Sequence, residues 1–442
     1  MWTLEDRPVA VCPSVDPDRW RQEFKALGAR IDGRFARVES RRRARSFLRG
    51  LMAGLPRVNC WALAEHAGDA SPGGMQHFLA AAVWDDDGLR ADLRDYVVEQ
   101  LGDPDAVLVI DETGDLKKGT MTVGVQRQYT GTAGRIENAQ VAVYLTYAAP
   151  AGHAFLDNAL YLPVSWTSDP QRCAAAGVPD SVTFATKPTL ARQMIAKALD
   201  VGVPARWVTG DEVYGNDPAL RATLARRGLG YVLAVARSHQ IDTKAGRRRA
   251  IDLAVTLPTH AWTRISAGQG AKGQRLYDWA FIATSDQDLP GSHHLLIRRN
   301  IHTGEYAFYR THSPSPVPLA TYVQVAGIRW TVEDDFQNSK ELAALDEHQV
   351  RRWTSWHRWT LLAMLAYAFL AVTTARAHDT QSADELIPLT VNEVRHLFVC
   401  LAFPRPEPAA GFVLAWSWWR RRHQARAQAS HYQRQAAALQ LN

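Results

Sequence analysis

Apolar residues recur every three to four positions through residues 18–100, most clearly in RARSFLRGLMAGL and GLRADLRDYVVEQL. This period is that of α-helices with one buried face. We therefore predict a helical N-terminal domain, residues 1–100, which ends at the turn-rich stretch LGDPDA.

Beyond residue 106 the pattern changes to alternating or continuous β-branched runs, AVLVID, TVGVQRQYTG and AQVAVYLTYAA. Helix and strand patterns then alternate, with a helix from Pro188 to about Val201, the strand RWVTGD, a helix over 218–227 and the strand YVLAVA. Three strands followed by alternating helix and strand predict a mixed α/β sheet, whose first part is residues 101–236.

Residues 237–318 return to strand patterns, among them RLYDWAFIAT and a hairpin in LLIRRNIHTGEYAFYRT. They are predicted to form an all-β insertion, after which a helical segment, 319–380, completes the α/β core. Residues 381–442 are predicted to be a helical, basic C-terminal region. The longest apolar run, 361–372, is shorter than a membrane span, so we expect a buried helix and no membrane contact.

The chain of 442 residues is 46% hydrophobic and 22% charged, with a net charge of +6 and a pI near 9.2. Its arginine excess suits phosphate recognition, although codon usage produces the same bias. One basic face in the N-terminal helices is either a solvated surface or a phosphate-binding surface; its main residues are Arg41, Arg42, Arg43 and Arg45.

The four cysteines, Cys12, Cys60, Cys173 and Cys400, have no C-x-x-C spacing, so neither a zinc ribbon nor a disulfide framework is predicted. The first 18 residues lack the apolar stretch of a signal peptide. Both observations favour the reducing cytoplasm.

Three acidic residues stand out by context. Asp111 ends the strand pattern VLVID, Asp211 ends RWVTGD, and Glu333 lies on the helical segment after the insertion. Each has an ordinary explanation: a strand-end cap, a helix N-cap, and a surface residue beside Asp334 and Asp335. Their order in one α/β sheet nevertheless favours a shared site.

Three ionised carboxylates share a site only when cations neutralise them. Oxygen ligands select hard ions, so we expect Mg²⁺, for which Mn²⁺ can substitute. Two ions roughly 4 Å apart would activate the attacking oxygen and stabilise the leaving oxygen in phosphodiester cleavage. Strand alternation and helical periodicity should point Glu112, Glu212 and Asp335 away from this site, with Asp334 the closest competitor.

The stretch DETGD also fits an enzyme with a phosphorylated aspartate. Such phosphatases place a second aspartate two residues after the nucleophile, where Thr113 stands, and Gly215 takes the last acidic position of their GDxxxD motif. That interpretation leaves Glu333 unexplained and is the less favoured one.

Arg329 and Lys340 lie four residues before and seven residues after Glu333, on one helical face. An ordinary salt-bridge stripe would have this spacing. The same residues form an R-x3-E-x6-K signature, and with VIDETGDLKKG, VTGDEVYG and EHQVRRWTSWHRWTLLAMLAYAFL the chain resembles the DDE transposases of bacterial insertion sequences over residues 20–375. Ala326 stands where that branch often has tyrosine.

The resemblance implies a ribonuclease-H-like core with Asp111, Asp211 and Glu333 as catalytic metal ligands, and a β-strand insertion between the second and third acids. It implies that Arg329, Lys340 and the N-terminal helices contact the transposon ends. Trp262 or Trp279 would hold a flipped base, although core packing is the simpler role for both.

We therefore expect a transposase that binds double-stranded DNA, namely the terminal inverted repeats and the target, as a homodimer, and that cleaves and joins strands. Two alternatives remain: a domesticated DNA-binding protein that no longer cuts, and a metal-dependent structure-specific nuclease. The three intact acids argue against the first, and the basic helices and tail against the second.

Overall fold

The structure, a computed structural model, describes residues 15–244, 246–270, 273–285, 290–380, 387–404 and 407–440. The predictions that concern residues 1–14 and Cys12, and the boundary at residue 381, lie outside the described residues. The described cysteines, Cys60, Cys173 and Cys400, are free thiols.

The N-terminal segment is helical, as its period of apolar residues predicts. Asp16 caps the first helix by accepting from the amides of Asp18 and Arg19, and Asn59 caps the third in the same way. The buried faces meet in an aromatic cluster that includes Phe35, Phe47 and Phe78. The five helices are α1 (Pro17–Ile31), α2 (Val38–Met52), α3 (Cys60–His66), α4 (Gly73–Ala80) and α5 (Asp86–Leu101).

Ten strands form one mixed sheet, and two more form a separate hairpin. The strands are β1 (Val107–Leu116), β2 (Gln126–Thr130), β3 (Arg135–Ala149), β4 (Gly152–Leu160), β5 (Trp207–Gly210), β6 (Gly230–Val235), β7 (Gln240–Thr243), β8 (Gly246–Arg249), β9 (Thr263–Gly270), β10 (Gly273–Ala283), β11 (Ser292–Arg299) and β12 (Tyr306–Ser313). The prediction of a mixed α/β sheet is confirmed.

The sheet has an antiparallel half and a parallel centre. β3 pairs antiparallel with β1, β2 and β4, whereas β1, β5 and β6 run parallel. The parallel strands are buried throughout their pairing, as parallel strands covered on both faces should be.

Helices connect and cover these strands. α8 packs on β3, α12 on β9, and α13 on β1, β3 and β4. The remaining helices are α6 (Val164–Thr167), α7 (Pro170–Ala176), α8 (Lys187–Asp200), α9 (Glu212–Gly215), α10 (Pro218–Arg226), α11 (Ala250–Val255), α12 (Leu319–Ile328), α13 (Thr331–Ala343), α14 (Trp353–Thr380), α15 (Val391–Leu397) and α16 (Ala410–Gln440).

Helix α14 is the centre of the core. It packs against α2, α5, α13 and β4. Its segment Trp353–His378 is long and apolar enough to cross a membrane by length and composition, but 89% of the apolar 18-residue stretch within it is buried inside the protein. The prediction of a buried helix is confirmed, although the helix extends well beyond the apolar run that predicted it.

One expectation about the strands needs correction. The segment 237–318 is not all-β, because the helix α11 follows the hairpin of β7 and β8. Its strands join the central sheet, since β12 pairs with β6 and extends that sheet through β11, β10 and β9. Strand β4 escaped prediction because Asp157 and Asn158, residues that strands disfavour, interrupt its pattern; Arg90 bonds to both.

Candidate active site

The two aspartates lie side by side in the sheet, although Asp111 does not end its strand as predicted, because β1 continues to Leu116 in its pairing with β3. β1 and β5 are parallel, and Asp111 and Asp211 each follow the last pair of their register, Ile110 with Gly210. Asp211 also caps α9 by accepting from the amide of Val213 at 2.8 Å. The N-cap interpretation of Asp211 is therefore correct. The hydrogen bond from Val213 uses Oδ1, so the other carboxylate oxygen, Oδ2, takes no part in it.

Helix α13 brings the third acid to the same edge. Arg329, just before the helix, points one nitrogen at Asp111 Oδ2, 3.3 Å away, and at Glu333 Oε1, 3.5 Å away. Lys340, further along α13, donates to Thr113 Oγ1 at 2.7 Å. Arg329 and Lys340, which flank Glu333 in the sequence, thus contact Asp111 and Thr113, two residues on the same face of β1.

Strand alternation separates Glu112 from this face. Its carboxylate accepts from Lys187 Nζ at 2.6 Å and from the Tyr214 hydroxyl at 2.5 Å, on α8 and α9. Asp115, two positions beyond Thr113, accepts from His348 Nε2 at 2.9 Å if that nitrogen is protonated. Both acids therefore have structural partners.

A cleft of about 1320 Å³ opens over the part of the sheet that carries Asp111 and Asp211. Its floor carries Asp111, Asp211 and Glu333. Its walls come from β2 and the following turn on one side and from the insertion on the other. Five cations surround the acidic floor: Lys187, Arg275, Arg298, Arg329 and Lys340. A negative floor with a positive rim suits a phosphodiester held by cations over a metal site.

Burial and neighbouring carboxylates oppose the ionisation of both aspartates on the floor. Burial, and secondly the charge of Asp211, raise the pKa of Asp111 to about 8 even though Arg329 lies beside it. Burial and the charge of Glu112 also raise the pKa of Asp211. Carboxyl groups whose ionisation is opposed in this way bind a cation readily.

The sequence matches a model of the family described as DDE superfamily endonuclease over residues 30–250, which is half of the chain. The chain belongs to this family. The resemblance drawn from the sequence motifs is thereby confirmed. The match includes Asp111 and Asp211 and ends before Glu333.

Two individual proteins are similar to this member of the DDE endonuclease family. A probable transposase for insertion sequence element IS701 from Microchaete diplosiphon is 29% identical over 242 residues, which cover 54% of this chain and 58% of that protein. The chain thus matches little more than half of that relative's length. A cryo-electron microscopy structure of a piggyBac transposase synaptic complex with hairpin DNA has a TM-score of 0.45 and 10% identity, covering 87% of this chain and 79% of that one.

The family implies a divalent metal, and the donor set of this member fits one. Three carboxylates offer only oxygen, the ligand that hard divalent cations prefer. The distances between the acids do not fit a bound ion, because among the described residues no three His, Cys, Asp or Glu side chains lie close enough to hold one. The Arg329 side chain lies between Asp111 and Glu333. The two carboxylates would therefore bind a common ion only if this side chain moved.

Of the neighbouring acids, Asp335 has a structural role. It is fully buried and accepts from Thr146 Oγ1 at 2.8 Å and from the Tyr367 hydroxyl at 2.6 Å, with His153 Nδ1 also 2.6 Å away. Asp334 borders the cleft and is the remaining carboxylate of α13 near the floor.

The predicted N-terminal phosphate contacts lie elsewhere than the cleft, and three of the four arginines bond to the protein itself. Arg41 donates to the carbonyl of Phe35, Arg43 pairs with Asp69, and Arg45 pairs with Asp32. Arg42 is exposed. These partners make Arg41, Arg43 and Arg45 poor candidates for phosphate-binding groups.

Neither predicted base-stacking tryptophan offers an open ring face to the cleft. Trp262 lies outside it, beneath Arg299 at 4.3 Å and near Tyr306 in a second apolar cluster. Trp279 borders the cleft but is 1% exposed, and its ring nitrogen donates to the carbonyl of Ile265. Core packing, the simpler role, is the one that the structure shows for both.

Three residues on the insertion wall were not predicted from the sequence. The Arg298 guanidinium stacks over the Tyr277 ring at 4.6 Å, and Arg275 donates to the carbonyls of Ala267 and Gly327. All three border the cleft. Strand alternation groups Arg275, Tyr277 and Trp279 on one face of β10, but only the pairing of β12 with β6 reveals which face meets the acids.

Proposed function

We propose that this protein is an insertion-sequence transposase, which binds the terminal inverted repeats of its element and catalyses strand cleavage and strand transfer. The observation that supports this most strongly is the position of Asp111 and Asp211 directly after the parallel pairing of β1 with β5, with Glu333 on the floor of the same cleft. The DDE endonuclease family supplies the class of chemistry.

The same proposal includes a ribonuclease-H-like core. The strand order β4-β3-β1-β5-β6 supports it, because an antiparallel meander of three strands is followed by two parallel strands. In such a core the first acid follows the first strand's apolar run and the second follows the parallel neighbour, as Asp111 and Asp211 do. The domain limits predicted from the sequence belong to this proposal.

Asp111, Asp211 and Glu333 would hold the divalent cations, for which we propose Mg²⁺. When bound, such ions activate the attacking oxygen and stabilise the leaving oxygen of a phosphodiester. Lys340 is held by Thr113 beside the acids, where its charge can position a phosphate. Arg329 exchanges its two carboxylate partners for a DNA phosphate, and this exchange leaves the acids free to bind cations.

Strand transfer requires no covalent link between protein and DNA. Cleavage leaves a 3′-hydroxyl, which attacks a second phosphodiester in line at the same site. We further propose that the protein acts as a homodimer, because two transposon ends need two active sites. The net charge of +6 favours approach to duplex DNA.

The experiment combines a band shift with a nicking assay on duplexes that carry the terminal repeats flanking the gene. The wild-type protein should bind these ends with or without Mg²⁺ and nick them only with Mg²⁺. Asp111→Ala and Asp211→Ala should keep binding and lose nicking.

Three results would contradict the proposal. Equal nicking of unrelated duplexes would indicate a structure-specific nuclease. Binding without nicking by the wild-type protein would indicate a domesticated DNA-binding protein. Undiminished nicking by both aspartate variants would remove the proposed site.

A further inference from the structure

The C-terminal helix α16 is anchored only through its first part. Trp416 is buried and donates its ring nitrogen to the carbonyl of Asp69 at 2.9 Å. Trp419 packs edge-on against Trp61 at 4.8 Å, and Arg420 pairs with Glu65 at 2.6 Å. These contacts attach the helix to α3 and fix its direction.

Beyond Arg420 the ring of His423 still contacts Trp61 at 4.9 Å, and the helix then projects from the protein surface. Every residue from 421 to 437 is exposed, a length of roughly 25 Å at 1.5 Å per residue. The sequence RRHQARAQASHYQRQAA offers no apolar stripe, so this part of the helix cannot bury a face against another helix. Its alanine, arginine and glutamine content keeps it helical without packing.

The projecting part carries charge of one sign. Residues 409–442 contain no aspartate or glutamate. The exposed surface of this part includes Arg421, Arg422 and Arg426. Among the described residues, none of these three arginines has an acidic partner. Arg434 bonds only locally, to Ser430.

Three exposed residues line up on one face at helical spacing. Trp418, Arg422 and Arg426 are separated by four positions each. The Trp418 side chain is 57% exposed, and the Arg422 guanidinium lies over its ring at 4.9 Å. The ring helps to fix the position of the guanidinium, whose nitrogens can still donate to an anion.

We propose that α16 is a DNA-binding arm, whose face of Trp418, Arg422 and Arg426 lies along the phosphate backbone of a duplex bound by the protein. The inference deepens the proposed function and rests on it. Phosphate is the matching partner because paired arginine donors recognise its oxygens and because the arm has no acid to repel it. A second copy of this chain is a poorer match, since two such arms would repel each other and share no apolar contact.

The test measures duplex affinity of the full chain as a function of salt concentration. The variant Arg422→Ala/Arg426→Ala removes two positive charges from the arm. The control Arg206→Ala/Arg227→Ala also removes two exposed arginines, at the opposite end of β5 from Asp211, where they pair with Asp105 and Asp200.

We expect the arm variant to bind more weakly and to flatten the slope of log K against log salt by about 2, which is close to one for each phosphate that the arm no longer neutralises. The control should keep the wild-type slope. Nicking of bound ends by the control variant should match that of the wild-type protein, because neither Arg206 nor Arg227 borders the cleft.

An unchanged slope in the arm variant, while the wild-type protein binds DNA, overturns the inference and leaves the proposed function intact. So does a change of oligomeric state in light scattering without a change of slope, which would assign the helix to a second copy. Absence of duplex binding by the wild-type protein would instead overturn the proposed function itself.

Discussion

Charge is the decisive property at the scale of single residues. Asp111 and Asp211 are neighbours because both follow the last pair in the parallel register of β1 and β5, and burial opposes the ionisation of both. Arg329 partly compensates this charge and occupies the space between Asp111 and Glu333. The sequence predicts these residues through their spacing, but it cannot predict that an arginine lies between two acids before any cation binds.

Lys340 is proposed to bind a DNA phosphate and is not one of the proposed metal ligands, so its substitution tests phosphate binding alone. Lys340→Ala should weaken binding of terminal DNA and reduce the salt slope by about 1, because the variant neutralises one phosphate fewer. Lys25→Ala, an exposed lysine on α1, is the matched control and should leave the slope unchanged. Equal slopes for the Lys340 variant and the control would exclude a phosphate contact at Lys340.

Two acids of α13 should respond in opposite ways. Asp335→Ala should lower the free energy of unfolding by about 3 kcal/mol, because it leaves the buried partners Thr146 and Tyr367 without an acceptor. Glu333→Ala should unfold like the wild-type protein, because its side chain is exposed, yet lose nicking. Urea denaturation measures the first effect, and similar stability of the two variants would contradict these assignments.

At the scale of elements, periodicity predicts what is local and misses what pairing decides. The helix predicted from Pro188 to about Val201 is α8 (Lys187–Asp200), and the strand YVLAVA is β6. In contrast, β4 contains Asp157 and Asn158 and is a strand because β3 and Arg90 supply their partners. The continuation of the sheet from β6 to β12 depends on contacts between distant residues, which no local pattern encodes.

The junction of α12 with β9 is closely packed at Gly327. A Cβ atom there would lie 2.0 Å from the carbonyl oxygen of Ala267. Gly327→Ala should therefore displace α12, destabilise the protein by about 2 kcal/mol and slow nicking by moving Arg329.

Gly411→Ala is the control for this prediction, because a Cβ atom there meets no neighbour within 4 Å. It should leave stability unchanged or slightly raised. Thermal unfolding compares the two variants, and a Gly327→Ala protein as stable as Gly411→Ala would show that the contact between α12 and β9 is not tight.

At the scale of the whole molecule, the cleft lies between the antiparallel half of the sheet and the strands of the insertion, while α16 projects from the surface. We propose different tasks for these two features: metal chemistry at Asp111, Asp211 and Glu333, and DNA-backbone binding at the arm. The composition predicts a basic protein, but only the fold distinguishes arginines paired with acids, such as Arg43 and Arg45, from those free to bind phosphate.

The most direct test of the central claim is a titration with Mn²⁺, followed by electron paramagnetic resonance, of the protein bound to terminal DNA. The wild-type protein should bind Mn²⁺ tightly, and Asp111→Asn, Asp211→Asn and Glu333→Gln should each weaken that binding at least tenfold while DNA remains bound. If all three variants bind Mn²⁺ as the wild-type protein does, the three carboxylates do not form a metal site.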